Sequence, residues 1–333
     1  MTLAPRIALA GLAFFTAGCV DGAPHENPLD PLSDRYVAEG TVAGRVTGIY
    51  PPFQGRAGAR VRVLPVGGGI ERVATTGADG GYRLVGLPEG DYTVMADGEG
   101  LRADTTTATV AVGAETAADL RLDALPVVEA QAARTVHIER WFPESPLFRL
   151  EVEASVTDPD RPADVDGVAL VVEALSFRAA LAEVAPGRYA ATFDAATLPG
   201  GQVQALLGQS LRIEATDVTG GTALGPPLAL VRVIEQTPLT ASPQGLETVA
   251  QNPPTLTWRP AQLPFAFTYR VDVHLIDGAG IPNLVDSVDG LPASQTALAL
   301  TEPLAPGDYF WTVWVTDAAG NRSRSKEAGF RVP

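Results

Sequence analysis

The stretch that decides the fold runs from Thr75 to Val94 and reads TTGADGGYRLVGLPEGDYTV. Its Asp79-Gly80-Gly81 segment predicts a tight hairpin, because glycine adopts positive φ at little steric cost. A second turn, from Pro88 to Gly90, precedes Tyr92, where polar and apolar residues begin to alternate. Alternation with a period of two indicates a strand with one buried and one polar face. The stretch therefore predicts short strands joined by tight turns.

A proline-glycine turn followed by a tyrosine occurs three times in the chain, before Tyr92, Tyr189 and Tyr309. Successive tyrosines are roughly 100 residues apart, which is the size of one β-sandwich domain. We therefore predict an all-β chain of three tandem β-sandwiches. A tyrosine at such a place forms a tyrosine corner when its hydroxyl donates a hydrogen bond back across the preceding turn. We assign this structural role to all three tyrosines, with contact to a ligand as the alternative.

The residues from Thr75 to Val94 resemble the carboxypeptidase regulatory-like domain, a transthyretin-like sandwich. The C-terminal region resembles fibronectin type III through three segments: Leu256-Thr257-Trp258, Tyr269 to Val273, and the run from Thr296 to Ser325. The region between them has the strand pattern of an Ig-like domain, with no motif that names a family. These resemblances imply non-catalytic β modules. The predicted organisation is a signal peptide at 1–18, a lipidated cysteine and flexible tether at 19–36, and sandwiches at 37–124, 125–235 and 236–333.

Cys19 is the only cysteine, and it directly follows an uncharged stretch from Ile7 to Gly18 that ends in small residues. Such a stretch after Arg6 predicts a signal peptide. Thr16-Ala17-Gly18-Cys19 resembles the lipobox of bacterial lipoproteins, in which leucine is usual at the position of Thr16. The resemblance implies an envelope protein anchored by lipid on Cys19, and Val20 favours the outer membrane over the inner one. A plain secretory signal that leaves a free thiol is the alternative.

Charge and motifs limit the classes of function. The 333-residue chain has 24 basic and 39 acidic side chains and a net charge of -15, so that nucleic acid is not an expected partner. The sequence contains no zinc-protease, serine-hydrolase, P-loop or dinucleotide motif. Its three histidines lie in the tether and in two different predicted domains. We therefore expect a protein that is not an enzyme and has no cofactor, with a calcium ion as the one candidate.

The calcium hypothesis concerns the loop from Asp158 to Gly167, which has carboxylates at Asp158, Asp160, Asp164 and Asp166. Carboxylate oxygens at this density coordinate calcium, commonly at linkers in tandem extracellular sandwiches. However, Ala169 stands where an EF-hand loop needs a glutamate, and aspartate and proline are ordinary turn residues. A plain acidic turn is therefore the alternative.

A ligand face is predicted on the C-terminal domain. If Tyr309 points inward, the period of two places Phe310 and Trp314 on the outer face. On the neighbouring strand the same period places Arg270, Asp272 and His274 outside. Exposed aromatic side chains beside polar ones often bind sugars or partner proteins. The alternatives are that the middle domain covers these residues, or that Arg270 lies over the Trp314 ring.

These observations predict a lipid-anchored envelope protein that displays tandem β-sandwiches for interaction with a protein partner. Carbohydrate binding through the outer aromatic face of the C-terminal domain is the second hypothesis. A degradative enzyme is the third, because a catalytic pair of carboxylates is defined by its spacing in the fold and leaves no motif in the sequence.

Overall fold

The computed structural model of the protein describes residues 32, 33 and 39–333. The described chain consists of strands, turns and single turns of 3-10 helix, so the all-β prediction is confirmed. No helix in this part of the chain has the length and apolar composition needed to cross a membrane. The chain divides into two compact units. The first holds residues 39–47, 54–96 and 104–121, and the second holds residues 48–53, 97–103 and 122–333.

Eight strands occupy the N-terminal region. They are β1 (Glu39–Gly48), β2 (Arg60–Pro65), β3 (Arg72–Thr75), β4 (Gly81–Pro88), β5 (Gly90–Gly98), β6 (Leu101–Val110), β7 (Glu115–Ala117) and β8 (Leu120–Ala124). Their order is β3-β2-β5-β6-β8-β1-β4, and β7 pairs in parallel with β1. Val61 and Val63 alternate with arginines along β2 and are fully buried. The apolar residues that alternate in the sequence therefore form the core of this region.

The predicted hairpin at Asp79-Gly80-Gly81 is a tight turn, but it does not join paired strands. It connects β3 to β4, which stand at opposite ends of the strand order. Gly80 has φ 81, and a Cβ atom on it would lie 2.3 Å from the carbonyl oxygen of Val46 on β1. Glycine is required there both by the left-handed backbone and by the close approach of β1. The turn residues predicted the turn correctly. They did not predict the strand partners, because β3 pairs with β2 and β4 pairs with β1.

The second unit contains the remaining strands. They are β9 (Val127–Ile138), β10 (Leu147–Thr157), β11 (Val165–Val172), β12 (Phe177–Ala185), β13 (Arg188–Asp194), β14 (Arg212–Asp217), β15 (Thr222–Leu224), β16 (Leu239–Ser242), β17 (Glu247–Thr248), β18 (Thr255–Arg259), β19 (Phe267–Ile276), β20 (Pro282–Pro292), β21 (Ala297–Ala299), β22 (Gly307–Asp317), β23 (Arg322–Arg324) and β24 (Ala328–Val332).

Most of these strands belong to one 13-stranded sheet with the order β15-β14-β11-β12-β13-β10-β9-β23-β22-β19-β20. Strand β24 pairs with β22 and with β17, and β16, β18 and β21 form a separate sheet. The described residues of this unit form two hydrophobic cores. One, which includes Leu150 and Ile213, belongs to the middle sandwich, and the other, which includes Trp311 and Phe330, belongs to the C-terminal sandwich. The division of the whole chain into three domains stays a prediction.

The middle and C-terminal sandwiches are joined by parallel pairing of β9 with β23, where residues 136–138 pair with residues 322–324. We call this junction the seam. The backbone N–H of Thr135 donates to Asn321 Oδ1 at 2.9 Å, and Arg322 Nη2 donates to both carboxylate oxygens of Glu151 at 2.5 and 2.7 Å. Thr135 and Asn321 are each 1% exposed. Because buried hydrogen bonds are directional, the seam favours one arrangement of the two sandwiches.

Candidate functional site

The outer face of the C-terminal sandwich is formed by β19 and β22, which pair side by side. Tyr309, Trp311, Val313 and Val315 are buried, as the period of two predicted for β22. The register places Arg270 opposite Trp314 and His274 opposite Phe310. Of the five residues predicted to form a ligand face, four are half-buried and Asp272 is buried.

A cleft of about 350 Å³ lies beside Trp314. It is next to the seam, because Arg134 from β9 and Arg322 from β23 line it together with residues of β19 and β22. The cleft therefore has walls from both sandwiches. Its main lining residues are Arg134, Arg270, Asp289, Trp314, Thr316 and Arg322.

Asp272 was predicted to lie outside, and this prediction is wrong, because the side chain is only 6% exposed. Three neighbours cover it with hydrogen-bond donors. Trp314 Nε1 donates to Oδ2 at 2.9 Å, and Ser287 Oγ and Arg270 Nε donate to Oδ1 at 2.8 Å each. A carboxylate with three donors is satisfied within the fold. Asp272 therefore positions Trp314 and Arg270 at the cleft.

The aromatic side chains of this face are partly covered by the protein itself. The guanidinium groups of Arg322 and Arg324 lie 5.3 and 5.8 Å from the centre of the Trp314 ring, a cation–π distance. One alternative from the sequence was that Arg270 lies over the Trp314 ring. Arg322 and Arg324 lie there instead. Phe310 and His274 stack on each other, with ring centres 4.6 Å apart and planes at 7°. Burial lowers the pKa of His274, which favours the neutral imidazole.

Two exposed aromatic residues were missed by the sequence reasoning. Trp141 and Phe142 follow β9 and are 64% and 90% exposed. Trp141 Nε1 donates to the carbonyl oxygen of Glu327 at 2.7 Å, and Lys326 Nζ lies 4.3 Å from the centre of its ring. The signal was present in the sequence, since two adjacent aromatic residues directly precede Pro143.

The three predicted tyrosine corners differ in the structure. Tyr92 Oη donates to the carbonyl oxygen of Pro88 at 2.9 Å, and Tyr309 Oη donates to that of Ala305 at 2.8 Å. These are the bonds back across the turn that a tyrosine corner requires. Tyr189 makes no such bond among the described residues, which corrects its assignment. The reason is that β12 and β13 pair directly as a hairpin, whereas Tyr309 follows a connection between two sheets.

Five aspartates converge elsewhere in the second unit. We call them the aspartate cluster. One carboxylate oxygen from each of Asp123, Asp160 and Asp164 lies within 4.8 Å of the others. Asp158 and Asp217 are their neighbours, because Asp158 Oδ1 accepts the backbone N–H of Asp160 at 2.8 Å and the Thr219 hydroxyl contacts both Asp217 and Asp123. Each of the five is buried except Asp160, which is half-buried.

The local backbone explains how the cluster forms. Asp123 lies on β8, and Asp217 ends β14. Asp158, Asp160 and Asp164 lie in the loop between β10 and β11, where Pro162–Asp164 forms one turn of 3-10 helix. The backbone N–H of Val218 donates to the carbonyl oxygen of Asp164 at 2.9 Å, which holds the loop against the end of β14.

The predicted calcium residues are thus only partly brought together. Asp158, Asp160 and Asp164 belong to the cluster, and Asp166 does not, because it is exposed at a register shift between β11 and β14. Asp123 and Asp217 were missed. Asp217 had a signal in the sequence, because Thr-Asp-x-x-Gly occurs at residues 216–220 and again at 316–320.

Burial and like charge change the acidity of this cluster. The pKa of Asp123 is raised, first by burial and then by the charges of Asp217, Asp160 and Asp164, although the Thr219 hydroxyl opposes the shift. The pKa of Asp158 is also raised, again first by burial. Burial disfavours the ionised form of a carboxyl group, and a neighbouring negative charge adds to the effect. The cluster is therefore an unfavourable place for negative charge in the protein alone.

The predicted lipidation residue Cys19, the predicted signal peptide and the predicted tether lie outside the described residues, apart from Leu32 and Ser33. The structure therefore leaves the predicted membrane anchor untested.

Comparison with known proteins gives a family for the N-terminal region. Residues 41–123 match the carboxypeptidase regulatory-like domain, in agreement with the resemblance of Thr75 to Val94. The match covers one part of the chain, and comparison with curated proteins found no match.

Several solved structures are similar to the chain at low identity. The major pilin subunit BcpA of Bacillus cereus is 12% identical over 85% of this chain and 91% of its own, with a TM-score of 0.30. Chicken CNTN1 FN1-FN3 domains are 12% identical over 89% of this chain and 96% of their own, with a TM-score of 0.31. Fibronectin(III)-like modules of Clostridium thermocellum CbhA are 14% identical over 62% of this chain and 93% of their own, with a TM-score of 0.29.

Proposed function

We propose that this protein is a non-catalytic binding and structural protein of the bacterial cell envelope, anchored by lipid on Cys19. In this proposal the middle and C-terminal sandwiches act as one rigid arm that presents the cleft beside Trp314 to a protein partner. The observation that carries the proposal is the seam, because strands of both sandwiches pair there and both supply walls of the cleft.

The seam supports a rigid arm because its contacts are polar, buried and specific. Ser323 Oγ donates to the carbonyl oxygen of Gln236 at 2.9 Å, and Ser323 is fully buried. The ring of His137 stacks on Phe148, and its Nδ1 lies 3.1 Å from the carbonyl oxygen of Ile234. Directional contacts of this kind hold two domains in one relative orientation better than apolar contact alone.

The cleft favours a protein partner over a glycan. Tryptophan and arginine are the side chains that most often dominate the energy of protein interfaces. Three arginines and Asp289 line the cleft, which suits a protein segment that has both charged and apolar groups. Stacking of a sugar needs a free aromatic face, and Arg322 and Arg324 already lie over the Trp314 ring.

The two described histidines support a non-catalytic role. His137 is 2% exposed within the seam, and His274 is stacked on Phe310. General acid–base catalysis needs a titratable group that reaches a substrate. Both imidazoles instead pack against aromatic rings as part of the fold.

The anchor is tested by intact mass and fractionation of the membrane-extracted protein and of a Cys19→Ala variant. We expect a lipid-sized mass increment and membrane association that the variant loses. An unmodified, soluble wild-type chain would contradict the anchor and leave the cleft to be tested by itself.

The cleft is tested in cells by placing a photo-crosslinking residue at Thr316, which lines it, and at the exposed Thr222 as a control. We expect a protein adduct at Thr316 that disappears when Trp314→Ala is added, and none at Thr222. Absence of the Thr316 adduct contradicts a protein partner. In that case, retention on a cell-wall polysaccharide column that Trp314→Ala abolishes would support the carbohydrate hypothesis.

A further inference from the structure

The aspartate cluster contains more hydrogen-bond acceptors than donors. Thr219 has one hydroxyl hydrogen, yet its oxygen is in hydrogen-bond contact with both Asp123 Oδ2 and Asp217 Oδ1. A hydroxyl donates to only one acceptor at a time, so it cannot satisfy both carboxylates. The Tyr50 hydroxyl donates to Asp164 Oδ1 at 2.5 Å, and this bond does not involve Oδ2 of the same carboxylate.

Among the described residues, four buried carboxylate oxygens of the cluster have no hydrogen-bond partner. They are Asp123 Oδ1, Asp158 Oδ2, Asp164 Oδ2 and Asp217 Oδ2. The side chains that bear them are between 0% and 5% exposed. Buried polar atoms in native proteins are nearly always paired, and a buried ionised carboxylate needs a counter-charge. Four such oxygens in one cluster therefore indicate a missing positive partner.

Two exposed arginines, Arg161 and Arg102, lie beside the cluster. Arg161 Nη2 lies 3.4 Å from Asp164 Oδ1, but the arginine side chain is 50% exposed and also lies over the ring of Tyr50. Arg102 Nη1 donates to the carbonyl oxygen and the hydroxyl of Thr219. Arg161 is therefore a partly solvated cation beside a cluster of mostly buried carboxylates.

We propose that the aspartate cluster is a calcium-binding site. Hard oxygen ligands, most of them carboxylates, are the donor set that calcium prefers, and calcium accepts six to eight of them in irregular geometry. Magnesium demands a nearly regular octahedron and keeps several of its waters. Asp123, Asp158, Asp164 and Asp217 each have an unpartnered oxygen for the ion, and Asp160 lies within 4.8 Å of two of them.

The site is held in shape by the backbone. Asp217 Oδ1 accepts the N–H groups of Thr219 and Gly221 at 2.8 Å each, and Asp160 Oδ2 accepts the N–H of Ala124 at 2.8 Å. These bonds orient both carboxylates, and those to Asp217 leave its Oδ2 for the ion. A site whose ligands are already oriented loses less conformational entropy on binding.

The test is a calcium titration by calorimetry, with the full detergent-solubilised chain, together with melting temperatures in calcium, in magnesium and in chelator. We expect saturable binding and a higher melting temperature in calcium than in chelator. Asp164→Asn and Asp123→Asn keep the shape of the side chain and remove one charge each. We expect each to weaken calcium binding at least tenfold. The matched control is Asp166→Asn, in the same loop but outside the cluster, which we expect to bind as the wild type does.

In chelator we expect the substitution to have the opposite effect on the melting temperature. Removal of one of several repelling charges should leave the melting temperature of Asp123→Asn equal to that of the wild type or above it. If Asp164→Asn does not fold, Asp123→Asn carries the same test. The proposal is overturned by equal melting temperatures of the wild type in calcium and in chelator, by equal affinities for calcium and magnesium, or by an Asp166→Asn variant as weak as Asp123→Asn.

Discussion

The hairpins that follow Asp217 in the middle sandwich and Asp317 in the C-terminal sandwich have the same construction. In each, Oδ1 of the aspartate accepts the backbone N–H groups two and four residues later, at 2.8 Å in the middle sandwich and at 2.9 Å in the C-terminal one. Gly220 and Gly320 adopt the left-handed conformation, with φ of 85 and 82. The shared Thr-Asp-x-x-Gly sequence therefore specifies one turn in both places.

The two hairpins differ at the second carboxylate oxygen. Asn321 Nδ2 donates to Asp317 Oδ2 at 3.1 Å, and Arg232 Nε forms an ion pair with it at 3.2 Å. Asp217 Oδ2 has no hydrogen-bond partner within the described part of the chain and stands close to other carboxylates. The motif thus fixes the turn, while the elements packed against it decide how the buried charge is balanced. In the C-terminal sandwich Arg232 balances the charge of Asp317. In the middle sandwich the proposed calcium ion balances the charge of Asp217.

The largest effect is expected when Arg232 is removed. Arg232→Met leaves Asp317 buried without its cation, as Asp217 is. We expect a loss of about 2 kcal/mol, below the cost of breaking a fully buried pair because Arg232 is partly exposed. Urea denaturation measures the change. The control is Arg331→Met, which breaks an exposed pair with Asp308 and should leave the midpoint unchanged. Equal effects of both substitutions would show that the cation at Asp317 has no special importance.

A smaller and more specific effect is expected from the matched pair Asp217→Asn and Asp317→Asn. Asparagine keeps the oxygen that accepts the two N–H groups and removes the charge. Asp317→Asn should cost about 1 kcal/mol in any buffer, because its ion pair is lost. Asp217→Asn should be neutral or stabilising in chelator and destabilising in saturating calcium. Melting curves of both variants in the two buffers measure this, and a parallel response to calcium would remove the distinction between the hairpins.

The dependence of stability on pH should also separate the two sandwiches. The pKa of Asp123 is raised in the folded protein, so the folded calcium-free protein retains a proton that the unfolded chain has released just above the ordinary aspartate pKa. Acidification through the raised pKa of the folded state therefore stabilises the calcium-free protein through this group. With calcium bound, the carboxylates are held ionised, and acidification then destabilises the protein through this group.

The difference between the wild type and Asp123→Asn isolates this contribution. Asp79, Asp277 and Asp308 have lowered pKa values, so that their stabilisation is lost as the pH falls, but they are common to both proteins. Melting temperatures of both proteins from neutral to acidic pH, with and without calcium, provide the measurement. Parallel curves in the calcium-free protein would contradict a raised pKa at Asp123.

Local patterns in the sequence predicted local structure well. The period of two placed Tyr309, Trp311, Val313 and Val315 in the core, and three of the four predicted calcium residues lie in the aspartate cluster. The predictions that failed depended on contacts between strands that are distant in the sequence. Asp123 joins the cluster from another strand, and Asp272 is buried because Trp314 and Ser287 come to it across neighbouring strands. Strand partners are chosen by the whole fold, and a single strand does not encode them.

The smallest expected effect concerns the other motif that the two sandwiches share, the proline-glycine turn before a tyrosine. Tyr309→Phe removes the bond from Oη to the carbonyl oxygen of Ala305 and keeps the stacking on Phe330, so it should cost about 1 kcal/mol. Tyr189→Phe removes a hydroxyl that makes no corner bond and should change stability by less than about 0.5 kcal/mol. Urea denaturation of the two variants compares them directly. An equal loss in both would show that the hairpin tyrosine is as structural as the corner tyrosine, and that the connection between sheets is not what gives Tyr309 its importance.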